Sequence, residues 1–313
     1  MVVPRGATGG TELGHQFIDV INECSDHVGH ILYYPFCSYQ GIQPEFEKYN
    51  CNTILVDVLN QLQNVRIVIP ETYTYLVRRF RRHNVSIWWM SVDNYYGSQK
   101  VRYALANRFF PWTFQRVFSV ESGIEFNLYQ SEYARTFLVE SGADNVLSLS
   151  DFLNPDFHTK RPPVNMERVV VYNPAKGIEY TEQILAAAPD IKFVPIVNMT
   201  RSEVFGLLQS SMVYIDFGNH PGKDRIPREA VTLGCHLIVG RRGSATNSVD
   251  VPIPDDYKFD VGNSFSPKEV VDRIRFMLDN YNSNDEDFAD YRRIIRSERS
   301  RFVEEVCGAA SIL

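Results

Sequence analysis

The sequence predicts an α/β protein built from two doubly wound domains. Three observations carry this reading. Short apolar runs alternate with segments of helical period along most of the chain, the pattern of a parallel sheet covered on both faces. A stretch rich in proline and mixed charge, Asp151 to Asn165, interrupts that alternation and reads as a linker. The length of 313 residues is enough for two such domains. The expected division is 1–155, 165–285 and a charged terminal helix at 286–313 that folds back on the first domain.

In the first half, Val2 to Pro4 is a minimal strand, and a helix follows from Thr11 to Ser25, with Thr11 as its cap and Leu13, Phe17, Ile18 and Ile21 at helical spacing. His30 to Pro35 and Val65 to Ile69 are strands. Between them lie a helical turn at Glu45 to Tyr49 and a segment, Asn52 to Leu62, that fits strand and helix equally. Thr72 to His83 reads as a helix, Val85 to Ser91 as an aromatic strand, and Tyr103 to Val117 as a helix interrupted at Pro111. Phe109, Phe110, Trp112 and Phe114 on it fit a core face, or a surface for an acceptor or lipid carrier. A strand at Asn127 to Gln130, a helix at Glu132 to Ser141 and a strand at Val146 to Leu149 complete this half.

The second half begins with a strand at Arg168 to Tyr172 and a helix at Tyr180 to Ala188. A strand at Lys192 to Pro195, a helix at Arg201 to Ser210, a strand at Met212 to Ile215 and a helix at Arg228 to Leu233 follow. His236 to Val239 is the last strand, and helices at Pro267 to Asn280 and Glu286 to Val306 close the chain.

Composition excludes several classes. A net charge of -6 argues against bulk attraction to nucleic acid or anionic lipid. The local exception, Arg78-Arg79-Phe80-Arg81-Arg82-His83, reads as a solvated helix end, with membrane contact as the alternative. Five scattered cysteines without a CxxC pair read as reduced structural thiols, and the seven histidines form no zinc-ligand spacing. No apolar run is long enough to span a membrane, so a soluble cytoplasmic protein is expected.

The strongest chemical signal is Ser210 to Gly240, where an apolar strand gives way to the loop Asp216-Phe217-Gly218-Asn219-His220-Pro221-Gly222 and then to a helix. Lys223 and Arg225 stand at that helix's entry, Pro227 fits its first residue, and Glu229 lies inside its first turn. Unpaired N–H groups and a partial positive charge at a helix start, beside two cations, suit a phosphate or diphosphate. Lys176, in Asn173-Pro174-Ala175-Lys176-Gly177 after another strand, fits a phosphate contact and an ordinary turn equally. Thr200 caps the helix after it, and Arg241-Arg242 ends a later strand as added charge or a solvated loop.

In the first half, Gly9 and Gly10 either make a tight turn or let a ligand approach the backbone. The run is not GxGxxG, and no GxxxxGK[ST] occurs, so dinucleotide and P-loop readings lose support. Glu12 and His15, three apart on one helix face, can orient or deprotonate a hydroxyl, or serve as ordinary helix residues. Asp93, where an aromatic strand meets its loop, is either a general base or the start of an Asp-Asn turn.

Four segments, GATGGTELGHQ, LYQSEYARTFLVESGA, VVVYNPAKG and DFGNHPGKDRIPREAVTLG, in this order and spacing, resemble the GT-B glycosyltransferases of bacterial surface-polysaccharide assembly. The resemblance covers almost the whole chain. It implies two Rossmann-like domains facing a cleft, the second holding a nucleoside diphosphate sugar and the first a glycan or lipid-linked glycan acceptor. By the same resemblance Lys176, Lys223 and Arg225 contact the diphosphate, Glu229 the ribose hydroxyls, and Gly9 and Gly10 the donor. Asp93 is then the base of an inverting transfer, with Glu12 and His15 as alternatives. No metal or cofactor beyond the donor is implied, and neither is nucleic acid. A cytoplasmic protein follows, with peripheral contact at the inner face of the cell membrane as an open alternative. Pro221 stands eight before Glu229, where many retaining relatives carry a second glutamate, so the stereochemical outcome stays open. A sugar-nucleotide epimerase and a non-catalytic glycan- or nucleotide-binding subunit are the rival readings.

Overall fold

The structure, a computed structural model, describes residues 1–6, 8–36, 41–98, 123–154, 157 and 166–312. It divides into two compact units, Met1–Asp151 with Ser300–Leu313, and Phe152–Arg299.

Unit 1 contains β1 (Val2–Pro4), α1 (Gly9–Cys24), β2 (His30–Tyr34), β3 (Asn52–Thr53), α2 (Val56–Leu59), β4 (Arg66–Pro70) and β5 (Asn84–Trp89). It continues with β6 (Ile124–Tyr129), α3 (Glu132–Glu140) and β7 (Val146–Ser148). Every pairing is parallel, in the orders β3-β2-β1 and β4-β5-β6-β7. Because β1 packs beside β4, the chain winds outward in both directions from that seam. Helix α1 starts at Gly9, earlier than the sequence suggests, because Thr8 supplies the cap and accepts a hydrogen bond from the Thr11 N–H at 3.3 Å. It buries Leu13, Phe17, Ile18 and Ile21, and an added Cβ at Gly14 would overlap Val3. Gly14 is therefore the glycine that lets α1 lie close on β1.

Unit 2 contains β8 (Glu167–Tyr172), α4 (Ile178–Ala187), β9 (Lys192–Pro195), α5 (Arg201–Ser210), β10 (Ser211–Asp216) and α6 (Arg225–Leu233). After them come β11 (His236–Gly240), β12 (Lys258–Phe259) and α7 (Pro267–Asp279). The parallel sheet has the order β12-β11-β10-β8-β9, which reverses direction between β8 and β10. Its central strands are the continuous apolar runs that a doubly covered sheet requires, with Val170, Val171, Val213, Tyr214, Leu237 and Val239 fully enclosed. The last helix, α8 (Ala289–Ile312), begins in unit 2 and ends in unit 1. There Phe302 stacks on Trp88 at 6.4 Å, and Glu305 accepts hydrogen bonds from Ser148 Oγ, Ser150 N and Ser150 Oγ at 2.6 to 2.7 Å.

Several expectations need correction. The segment read as a helix from Thr72 to His83 is a 3-10 helix at Glu71–Leu76, broken at Tyr73, followed by turns. Its Thr and Tyr residues are poor helix formers. The ambiguous segment before β4 supplies both a short strand, β3, and a short helix, α2. The reading of all five cysteines as reduced thiols fails, because Cys24 at the end of α1 and Cys307 on α8 form a disulfide with Cα atoms 6.0 Å apart. Their separation of 283 residues hid the pair from a search for local spacing. Among the described residues, neither Cys51 nor Cys235 is joined in this disulfide. The helix expected at Tyr103 to Val117, with Phe109, Phe110, Trp112 and Phe114, lies outside the described residues, as does most of the expected linker. Among the described residues no helix is long and apolar enough to cross a membrane.

Candidate functional site

In open parallel sheets, adjacent connections diverge where the strand order reverses, leaving a crevice at the carboxyl ends of the strands. In unit 2 that point lies between β8 and β10. The loop after β8 carries Lys176, and the loop after β10 runs from Asp216 to the start of α6. These loops are pressed together. Gly177 holds φ +66°, and an added Cβ there would overlap the Phe217 backbone, while one at Gly218 would overlap the Lys176 side chain. Gly243, after β11, is as tightly placed against the His220 carbonyl, which also accepts the Ser244 N–H at 2.8 Å.

Lys176 is the centre of this arrangement. Its ammonium pairs with Asp224, lies 3.4 Å from Asp216 Oδ2 and donates to the Asn219 carbonyl at 3.3 Å. Burial opposes its charge, but Asp216 and Asp224 outweigh that cost and hold its pKa above the ordinary lysine value. Asp216 is positioned by its own loop, accepting from Gly218 N at 2.9 Å and from the Tyr214 hydroxyl at 3.2 Å. His220, 1% exposed, places Nδ1 3.3 Å from Asp224 Oδ2 and Nε2 3.6 Å from Asp216 Oδ1. Asp224 occupies the cap position of α6 yet makes no capping hydrogen bond, because its carboxylate is turned to Lys176 and His220.

The other second-half candidates sit on α6 or beside it. Arg225 is the first residue of α6 and half-buried, and Glu229 is buried one turn on. Lys223 turns instead to α8, where its Nζ meets Glu298 at 2.9 Å. Arg242, half-buried, donates to Glu179 at 3.3 Å and to the Phe217 carbonyl at 3.4 Å. Thr200 makes a full capping box with Glu203 at the start of α5.

In unit 1 the reversal falls between β1 and β4. Gly9 and Gly10 open α1 there, and an added Cβ at Gly10 would make only ordinary contact with Met90. His15 is fully enclosed, with Nδ1 2.7 Å from the Thr11 carbonyl, Nε2 3.0 Å from the Tyr33 hydroxyl and its ring stacked on Phe46. Burial pushes its pKa down. Glu12 accepts from Lys48 Nζ at 3.3 Å and from the Tyr49 hydroxyl at 3.0 Å. Both side chains thus fasten the segment after β2 to α1. Asp93 is the second residue of a helical segment, residues 92–98, and accepts from the Tyr133 hydroxyl at 3.3 Å.

Sequence reasoning missed Glu71. It follows β4 at the reversal point, is 2% exposed and accepts the Met90 N–H at 3.1 Å. Burial raises its pKa to about 8, against the opposing effect of the two backbone N–H groups it accepts. Its signal was hidden because ETYTYL reads as the start of a helix, although a carboxylate directly after an apolar strand was visible.

The strand orders and the full-length match to solved structures define the fold as the GT-B type of α/β protein. Anabaena HepE, solved in complex with UDP-glucose, aligns over 100% of this chain and 98% of its own, with a TM-score of 0.67 and 12% identity. Sucrose-phosphate synthase from Thermosynechococcus elongatus aligns over 95% and 91%, with a TM-score of 0.62 and 11% identity. WaaG, a glycosyltransferase involved in lipopolysaccharide biosynthesis, aligns over 100% and 99%, with a TM-score of 0.57 and 12% identity. No protein-family model matches the chain. No characterised protein matches it in sequence.

Proposed function

We propose that this protein is a glycosyltransferase that moves a sugar from a nucleoside diphosphate sugar to a hydroxyl of a glycan or lipid-linked glycan, in the assembly of a bacterial surface polysaccharide. The observation that carries the reading is the position of Lys176. A lysine ammonium stands at the strand-order reversal of unit 2, next to a helix start whose cap residue is turned away. A diphosphate there gains the α6 N–H groups and the Lys176 and Arg225 charges, which also stabilise the negative charge that grows on the leaving group. No metal need touch the donor in this scheme. Glu229 binds the ribose hydroxyls, and unit 1 holds the acceptor, with Asp93 as base of an inverting transfer. The UDP-glucose bound to HepE supports this donor class, and the glycosyltransferase WaaG supports the transfer.

Calorimetric titration with a panel of sugar nucleotides tests the reading. One of them should bind, and Lys176→Met should weaken it by about tenfold or more, the scale of a lost charge-assisted phosphate contact. Absence of binding by every member, unchanged by Lys176→Met, would overturn it. The engagement of both Glu12 and His15 within unit 1 favours a second reading, a subunit that binds without turnover. Binding without transfer to any acceptor, insensitive to Asp93→Asn, would select it.

A further inference from the structure

Around Lys176 two carboxylates and an imidazole converge on one ammonium. Asp216 and Asp224 bring two carboxylates, with side chains 2% and 20% exposed, and Lys176 returns one positive charge. The imidazole between them is 1% exposed, and its Nε2, 3.6 Å from Asp216 Oδ1, has no hydrogen-bond partner. A buried ring nitrogen aimed at a carboxylate without a bond is an unmet acceptor or donor. One ligand atom from each of Asp216, His220 and Asp224 lies within 4.8 Å of the others.

We infer that Asp216, His220 and Asp224 form a binding site for a divalent transition-metal cation, for which the Lys176 ammonium is the built-in competitor. Two carboxylates match the charge of a divalent cation, and the imidazole adds a nitrogen donor. One nitrogen and two oxygen donors suit zinc, cobalt or manganese better than the all-oxygen shells of calcium and magnesium. The backbone is prepared for this. His220 is fixed by Ser244 N and by the close approach of Gly243, and Asp216 is fixed by Gly218 N and the Tyr214 hydroxyl. Only the carboxylate of Asp224 and the lysine must move, and both are partly exposed, at 20% and 28%.

Cation entry expels Lys176 from its two carboxylates and frees its charge for an anion at the same strand edge. This consequence rests on the proposed donor site. The metal site itself does not.

The test uses the full chain stripped with chelator and titrated with zinc, and separately with cobalt, whose visible absorption reports its ligand shell. A single equivalent should bind. Lys176→Met should tighten binding by about tenfold or more, since it removes a charge that competes for the same oxygens. In that background Asp224→Asn and His220→Gln should each weaken binding by about tenfold or more, the scale of a lost ligand contact. No tightening in Lys176→Met, or metal binding indifferent to Asp224→Asn, overturns the proposal. Thermal melts identify any misfolding of the His220 variant, and the partly exposed Asp224 then carries the test. Sugar-nucleotide affinity measured in chelator stands apart: donor binding without metal binding would sink this inference and leave glycosyl transfer standing.

Discussion

The Glu298 carboxylate meets the Arg228 guanidinium at 2.8 Å, with both side chains only 1% exposed. The other oxygen of Glu298 lies 2.9 Å from Lys223 Nζ. One glutamate of α8 thus holds the start of α6 and the residue before its cap, which sets the frame for the loop around Lys176. Removing one partner of a buried pair leaves the other charge uncompensated. Glu298→Ala should cost about 3–5 kcal/mol in urea denaturation. The double variant Arg228→Met with Glu298→Met should cost less than the sum of the two single changes.

Glu71 should make stability fall as the solution becomes alkaline. Its folded pKa, about 8, lies above the ordinary carboxylate value of 4.5, so the folded chain keeps a proton that the unfolded chain releases. Its contribution is complete below about pH 4.5 and is lost as pH rises through about 8. Thermal melts across this window should show the decline in the native protein and a flatter profile in Glu71→Gln.

Gly177→Ala should damage the Lys176 loop more than the helix that follows it. The position combines φ +66° with a side-chain direction that runs into the Phe217 backbone. The backbone strain alone costs on the order of 1–3 kcal/mol. Chemical denaturation should show at least that loss. Sugar-nucleotide titration should show weaker binding even at temperatures where the variant is fully folded.

The Cys24–Cys307 disulfide should stabilise unit 1 only under oxidising conditions. Cys24→Ser should lose about 2–4 kcal/mol relative to the oxidised protein, as expected for a bond that closes a long loop. In excess reductant the variant and the native chain should melt together, and non-reducing mass analysis should give the native chain two hydrogen atoms lighter than its reduced form.

The fold was legible because its strands are either fully buried apolar runs, such as Val169 to Tyr172, or runs bounded by glycine and proline. Strand order was not, because it depends on which runs pair, and in unit 1 the partners lie 18 to 40 residues apart with other elements between them. The two reversal points became visible only with the sheets. Lys176 stood out as a cation after a strand. Asp216 and His220 read in sequence as loop residues and Asp224 carries no signal of its own there, because their convergence depends on Gly177, Gly218 and Gly243 closing three loops. Glu298 escaped notice for a simpler reason: it lies 70 residues from Arg228 within a run of charges. Glu12 and His15 were conspicuous as neighbours on α1, yet their partners Lys48, Tyr49 and Tyr33 come from beyond β1 and could not be inferred from helical spacing.

Helix α8 also imposes an order on synthesis. Unit 2 is complete once Arg299 has left the ribosome, whereas unit 1 must wait for Ser300 to Leu313 before Phe302 can cover Trp88, Glu305 can receive its serines and Cys307 can reach Cys24. The unit made first is finished last. A chain ended between Arg299 and Phe302 would therefore carry a complete second unit and an open first one, with the Trp88 face exposed to whatever binds nascent hydrophobic surface.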